Sequence, residues 1–141
     1  MIINTTYLDK EKKKIINKIV GDSISWTSLF RGEMRGSGRM IIDEYSVGFK
    51  NKFNNINSLL YGNIEIREKG LIIRVQIRHY ETISWLIGYH QLAIFKSRNF
   101  SMYSAGEFIK FRIDSNYALN NTFIRQLIKK KNSHAKTLEY Y

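Results

Sequence analysis

Short β-rich runs fill the middle of this 141-residue chain, and this feature constrains the fold most strongly. Between Gly21 and Asp114 the apolar residues lose any helical spacing, and turn residues interrupt the sequence about every ten positions. An antiparallel meander is the simplest way to connect such runs. We predict strands near residues 24–31, 39–42, 45–50, 63–67, 71–78, 83–87, 89–95, 100–104 and 108–113. About eight strands are therefore expected.

Apolar and polar residues alternate along residues 71–78. The odd positions from Leu71 to Ile77 are all aliphatic, whereas the even positions carry Ile72, Arg74, Gln76 and Arg78. Because successive side chains of a strand point to opposite faces, one face is predicted to be core and the other solvated. This alternation explains the interleaving of basic and aromatic residues without a ligand. The large aromatic residues expected in the core are Trp26, Phe30, Phe49, Trp85, Phe95, Phe108 and Phe111.

Turn residues suggest how these runs connect. Glu68-Lys69-Gly70 lies between two strong β runs and predicts a hairpin. Asp43-Glu44 is interpreted as a second, tighter turn.

Amphipathic helices are predicted at both ends of the β-rich body, which spans residues 24–114. Residues 7–20 place their apolar side chains on one stripe, with Thr6 as a capping residue and Gly21 as a stop. Residues 120–131 form the second helix, started by Asn120 or Asn121, and residues 132–141 are expected to be a loose tail. The fold class is therefore α+β, with a mostly antiparallel sheet or barrel between two helices.

Composition excludes several classes of protein. The chain carries 23 Lys and Arg against 12 Asp and Glu, a formal net charge of +11, and it contains no cysteine. Disulfides, thiol catalysis and cysteine-ligated zinc are therefore excluded. No uncharged stretch approaches the ~20 residues of a membrane-spanning helix, and no basic leader precedes a long apolar run. We expect one cytoplasmic domain covering residues 1–141, without a transmembrane segment.

Three stretches resemble the pleckstrin-homology-like domains of bacteria, including GRAM-like domains. They are IIDEYSVGFK at 41–50, ISWLIGYHQLAIF at 83–95 and NTFIRQLI at 121–128. The resemblance implies a barrel whose open end is closed by the C-terminal helix. Lipid-binding members hold phosphate groups with basic residues around the loop between the first two strands. The matching region here is 31–39, which offers Arg31, Arg35 and Arg39, although Glu33 interrupts it and the family's spacing of basic residues is absent.

Further basic residues lie in the two helices. They are Lys12 and Lys13 in the first helix and Lys129, Lys130 and Lys131 in the second. If the two helices pack near each other, these lysines form one positive surface that attracts an anionic partner, which could be a phospholipid surface, a nucleic acid or an acidic protein. The simpler interpretation is that each run of lysines only solvates a helix face. The competing function is a protein-interaction or inhibitor module that uses a sheet edge or an apolar patch.

The sequence offers little for catalysis, and we expect no enzyme, cofactor or metal site. It contains no P-loop, no HExxH zinc motif and no GxSxG nucleophile elbow. His90 falls in a predicted strand, where a structural histidine is expected. A remote alternative is a metal-dependent nuclease that uses Asp43 and Glu65 with Arg67 or Lys69, because paired carboxylates with a basic residue can hold Mg²⁺ and orient water.

Overall fold

An antiparallel sheet of eight strands forms the body of the protein. The structure, a computed structural model, describes residues 1–53, 58–78 and 81–139. The strands are β1 (Ile2–Asn4), β2 (Met40–Tyr45), β3 (Leu60–Ile66), β4 (Gly70–Ile77), β5 (Glu81–Gly88), β6 (Ala93–Lys96), β7 (Asn99–Ser104) and β8 (Glu107–Arg112). The helices are α1 (Lys10–Val20), α2 (Trp26–Phe30), α3 (Val47–Lys50), α4 (Ser115–Leu119) and α5 (Asn121–Glu139), with a 3-10 turn at Tyr89–Gln91.

The strands follow the order β1-β5-β4-β3-β2-β8-β7-β6, and every pair is antiparallel. This arrangement confirms the predicted α+β class and a strand number of about eight. The sheet is open: in the described part of the chain, β1 and β6 form its two edges and do not pair with each other. A closed barrel, the alternative form of the prediction, is therefore not formed.

The predicted hairpin around Glu68-Lys69-Gly70 is confirmed. It joins β3 to β4, with pairs running from Gly62 and Val75 to Ile66 and Leu71. Gly70 is needed here because a Cβ atom at this position would lie 2.2 Å from the carbonyl oxygen of Ile87 on β5. The absence of a side chain thus lets β4 and β5 approach closely.

Several predicted strands and one predicted turn are wrong for local reasons, and residues 89–91 of the predicted strand 89–95 form the 3-10 turn. Residues 24–31 contain the short helix α2, because the Ser25 hydroxyl accepts a hydrogen bond from the Ser28 backbone N–H and caps a helical turn. Asp43-Glu44 is not a turn: β2 runs on to Tyr45, and a register shift between Ile42 and Glu44 accommodates the extra residue as a bulge.

Residues 47–50, predicted as strand, form α3. The edge strand β1 was missed because three residues carry too little periodicity.

The main core covers one face of the sheet, which we call the inner face and which carries the odd positions of β4. Against it pack α3, α4 and α5, through side chains such as Phe49, Tyr117 and Phe123. Trp85 and Phe111 are also buried there, as predicted. Trp26, Phe30 and Phe95 are exposed instead, and Phe108 is only half-buried, so their assignment to the core is wrong.

The opposite face, called the outer face, is only partly covered. Helix α1 packs its Ile16 and Val20 against Ile72 and Leu86 in a small second core. Asp9, rather than Thr6, caps this helix, because its side chain accepts the Lys12 backbone N–H at 2.8 Å. The helix stops at Gly21, whose φ of 78° is left-handed, as the sequence predicted.

Helix α5 is longer than predicted and runs to Glu139. The expected loose tail is therefore wrong for residues 132–139, while Tyr140 and Tyr141 lie outside the described residues. Asn120 does not cap α5 with its side chain: its Oδ1 accepts the Gly38 N–H at 2.8 Å, and its Nδ2 donates to the Asn116 carbonyl. This contact fastens the start of α5 to the segment that leads into β2.

Candidate functional site

The arginine-containing segment 31–39 lies between α2 and β2 and runs beside α5. The Met34 backbone N–H donates to the Gln126 side chain, and the Gln126 amide donates back to the Met34 carbonyl, both at 2.9 Å. On its other side, the Arg35 carbonyl accepts the Ile66 N–H at 2.9 Å. The segment was expected to link two strands, but it follows a helix, since 24–31 is not a strand. It is held between α5 and β3.

The three predicted arginines do not converge. Arg31 and Arg35 are exposed on the segment that contacts α5. Arg39 lies on the outer face, where its guanidinium stacks over the Tyr61 ring with 4.9 Å between the guanidinium carbon and the ring centroid. The predicted single anion site is thus divided between two surfaces.

The predicted lysines are divided as well. Lys12 and Lys13 belong to α1, which covers the outer face, whereas Lys129, Lys130 and Lys131 belong to α5, which covers the inner face. The sheet lies between the two helices, so the joint positive surface expected from their packing together is not formed. The three α5 lysines also lie in mid-helix, not in a last turn, because α5 continues to Glu139.

Helix α5 presents a basic stripe on the side facing away from the core. Arg125 and Lys129 are exposed one turn apart, with Ile128 between them, and they border two shallow cavities of about 570 and 560 Å³. Lys130 is partly engaged by Glu68, with 3.9 Å between its Nζ and the carboxylate. Arg125 was missed in the sequence, although its position four residues before Lys129 places it on the same helix face.

Helix α2 exposes two aromatic side chains, and the segment that follows it contacts α5, the helix that carries this stripe. Trp26 is 75% exposed and Phe30 is 87% exposed, and their spacing of four residues puts both rings on one side of the helix. Ser28 and Leu29 are half-buried toward the body of the protein. The turn that follows is fixed by the Glu33 N–H, which donates to the Ser28 carbonyl at 3.1 Å.

We call Trp26, Phe30, Arg31, Arg35, Arg125 and Lys129 the aromatic-basic surface. Its two parts are connected by Met34, which bonds to Gln126 of α5, and by Glu33, which borders the same cavity as Arg125 and Lys129. The four cations of this surface outnumber the two carboxylates that border the same cavity, those of Glu33 and Glu68, so its net charge is positive. Exposed rings flanked by cations are suited to a partner with an anionic boundary and an apolar interior.

The end of α5 carries a packed histidine near this surface. The His134 ring lies 4.7 Å from the Tyr89 ring, and Glu68, Lys130 and His90 are its charged or titratable neighbours. Burial and the positive charge of Lys130 lower the pKa of His134 below its usual value. Burial, with the nearby Glu68 carboxylate, raises the pKa of Tyr89, whose hydroxyl donates to the Arg67 carbonyl at 2.9 Å.

The residues proposed for nuclease chemistry are engaged in separate ion pairs. Asp43 binds Arg112 at 2.9 Å, while Glu65 binds Arg74 at 2.7 Å and also contacts Arg67. In residues 1–53, 58–78 and 81–139, no group of three or more His, Asp or Glu side chains is placed to hold a metal ion. His90 lies exposed in the 3-10 turn, so the prediction that it falls in a strand is wrong.

Among the helices that the structure describes, none combines the length and hydrophobicity needed to cross a bilayer. Comparison with protein-family models, with curated proteins and with solved structures finds no match to this chain. The resemblance to pleckstrin-homology-like domains stays a prediction.

Proposed function

We propose that this protein is a non-catalytic binding module that docks onto an anionic phospholipid surface through its aromatic-basic surface. The observation that carries the proposal is the exposure of Trp26 and Phe30 on α2. Arg31 and Arg35 follow directly, on the segment that contacts α5, and α5 carries the exposed Arg125 and Lys129. Two large rings in water have a cost that a folded protein normally avoids by burial. A lipid interface removes that cost while its headgroups attract the cations.

The magnitudes are sufficient for reversible binding. Each Lys or Arg near an anionic membrane contributes ~1 kcal/mol, so the four cations together supply about 4 kcal/mol. Burial of one large apolar side chain contributes about 1.5–3 kcal/mol, so the two rings add a term of similar size. Neither term alone anchors the protein firmly, and we therefore expect binding to need both the charge and the aromatic rings.

The neighbouring residues favour lipid over nucleic acid. Met34, on the segment that contacts α5, and Ile128, between Arg125 and Lys129 on α5, are exposed apolar residues of this region. Aliphatic side chains gain from contact with acyl chains but offer no π-face for stacking a base. The rings belong to a short helix and are largely exposed.

Flotation of nuclease-treated protein with vesicles tests the proposal. We expect binding to phosphatidylserine-containing vesicles at low salt, weaker binding at physiological salt, and little binding to pure phosphatidylcholine. The double variant Trp26→Ala/Phe30→Ala should lose most of the binding. Phe95→Ala is the matched control, because Phe95 is another exposed aromatic residue, at 61%, and lies on β6, outside this surface.

A second pair of variants tests the charge. Arg125→Gln/Lys129→Gln should weaken flotation clearly, whereas Lys13→Gln/Lys14→Gln on α1 removes the same charge and should have a small effect. Displacement of the protein by an added polynucleotide would instead identify nucleic acid as the partner. Absence of flotation at both salt concentrations would contradict membrane docking.

The competing protein-interaction module is favoured by a different observation. In the described part of the chain, strand β6 forms one edge of the sheet. Its Phe95 belongs to an outer-face cluster of three rings, in which Tyr103 lies between Phe95 and Phe108 with 5.6 Å between successive ring centroids. Such an edge can accept an added strand from a partner. If Phe95→Ala disrupts a complex in which Trp26→Ala has no effect, this second function is correct.

A further inference from the structure

A second basic region lies on the outer face, away from the aromatic-basic surface. A cavity of about 410 Å³ opens there over strands β2 to β5, and Arg39, Arg74 and Arg78 line it. Tyr61, Asn63 and Gln76 are among its uncharged lining residues. Among the lining residues that the structure describes there is no carboxylate, so the three arginines give the lining a positive charge.

Sheet geometry brings two of these arginines to opposite sides of one strand. Arg39 immediately precedes β2, Arg74 lies on β4 opposite Asn63, and β3 runs between them. Two inter-strand spacings separate their backbones by about 10 Å, which long side chains on the same face can bridge toward a shared ligand. Asn63 then lies beneath the ligand position and can donate or accept a hydrogen bond.

Neighbouring residues hold the first two guanidiniums in place. Glu65, just outside the cavity, accepts a hydrogen bond from Arg74 Nη1 at 2.7 Å, and its carboxylate also contacts Arg67. One carboxylate therefore serves two arginines, which leaves an excess of positive charge. Arg39 is oriented by its stacking on Tyr61. Oriented guanidiniums present parallel N–H donors that match the oxygens of a phosphate group.

We propose that this cavity binds the phosphate group of a small phosphorylated compound. Arg39 and Arg74 would grip the phosphate, Arg78 would add charge at the rim, and Asn63, Gln76 and Thr82 would contact the hydroxyl groups of the compound. The cavity volume lies within the range of small-ligand pockets. This inference goes beyond membrane docking, because α5 and the cavity lie on opposite faces of the sheet.

Titration of isotope-labelled protein with inorganic pyrophosphate, followed by NMR, tests the inference. We expect saturable shifts at Arg74, Asn63 and Tyr61. Arg39→Gln and Arg74→Gln should each weaken the affinity about tenfold, the size expected for loss of a charge-assisted hydrogen bond. Arg98→Gln is the control. Arg98 is exposed in the turn between β6 and β7, and its substitution removes the same charge at a position outside the cavity.

Three outcomes would overturn the inference. They are the absence of saturable shifts, equal weakening by Arg98→Gln, and shifts confined to α5. Unfolding temperatures of the variants show whether they remain folded, and Arg78→Gln, at the exposed rim, provides a second variant if Arg74→Gln does not fold. Arg78→Gln should weaken pyrophosphate binding less than Arg39→Gln or Arg74→Gln does.

Competition distinguishes the source of the phosphate group. Vesicles with phosphatidic acid displace pyrophosphate if the natural ligand is a lipid headgroup, and they leave it bound if the ligand is a soluble compound. Flotation lost in Trp26→Ala/Phe30→Ala with retained pyrophosphate binding would separate the two proposals. If the unmodified protein floats with vesicles but does not bind pyrophosphate, only the proposal of a phosphate site in the cavity is overturned.

Discussion

The two faces of the sheet use the same strands in different ways. On β4, the odd positions are buried beneath α3, α4 and α5, whereas the even positions begin with Ile72 under α1 and continue into Arg74 and Gln76 at the open cavity. The inner face thus provides one continuous core, and the outer face provides a small apolar contact followed by a polar, basic region. A sheet face that is not needed to support the fold can therefore carry charged side chains.

The largest effect is expected from a truncation on the inner face. Phe111→Ala removes a fully buried ring on β8, the strand between β2 and β7, and it should lower the free energy of unfolding by about 3–5 kcal/mol. Urea denaturation measures the loss. Phe95→Ala, on the exposed outer side, is the control and should cost less than about 1 kcal/mol. Equal losses would mean that the inner face does not dominate stability.

A smaller effect is expected beneath α1. Leu86→Ala removes a buried side chain from the four-residue outer cluster and should cost about 2–3 kcal/mol, less than Phe111→Ala because α1 can shift into the space. Hydrogen exchange shows which elements lose stability in this variant. We expect amide protection to fall mainly in α1 and to persist in β7 and β8. Uniform loss of protection would show that both faces unfold as one unit.

The smallest effect concerns the end of α5, where the pKa of His134 is lowered by burial and by Lys130. Between the folded and the unfolded pKa, the unfolded chain binds more protons, so stability rises with pH. The contribution of neutral His134 is complete above its unfolded value of 6.5 and is lost as the pH falls through that value toward the lowered one. His134→Gln should therefore flatten the decline of the urea midpoint between about pH 7 and pH 5. An unchanged decline would assign it to other groups.

Prediction from the sequence succeeded where the relevant interactions are local. The hairpin at Glu68-Lys69-Gly70 and the stop of α1 at Gly21 depend on turn chemistry within a few residues, and both are confirmed. Prediction failed at α2, where a serine cap outweighed a β-rich composition, and at α5, which continues eight residues beyond Lys131 to Glu139.

Only part of each candidate surface could be predicted from the sequence. Arg31, Arg35 and Lys129 were selected for charge, and the structure places them on or beside the aromatic-basic surface. The exposure of Trp26 and Phe30 could not be predicted, because a composition rule assigns large aromatic residues to the core. Arg74 and Arg78 were recognised as a solvated face, but their approach to Arg39 depends on which strands are neighbours.

The sequence by itself determined the fold class, the alternation that divides β4 between two environments, and the excess of positive charge. These properties follow from periodicity and composition, which act between residues close in the chain. Only the tertiary structure decided that α1 and α5 lie on opposite faces, that the predicted basic residues separate into two regions, and that the sheet stays open. Strand order and helix placement arise from packing between distant segments, and the spacing of residues along one chain does not encode those distances directly.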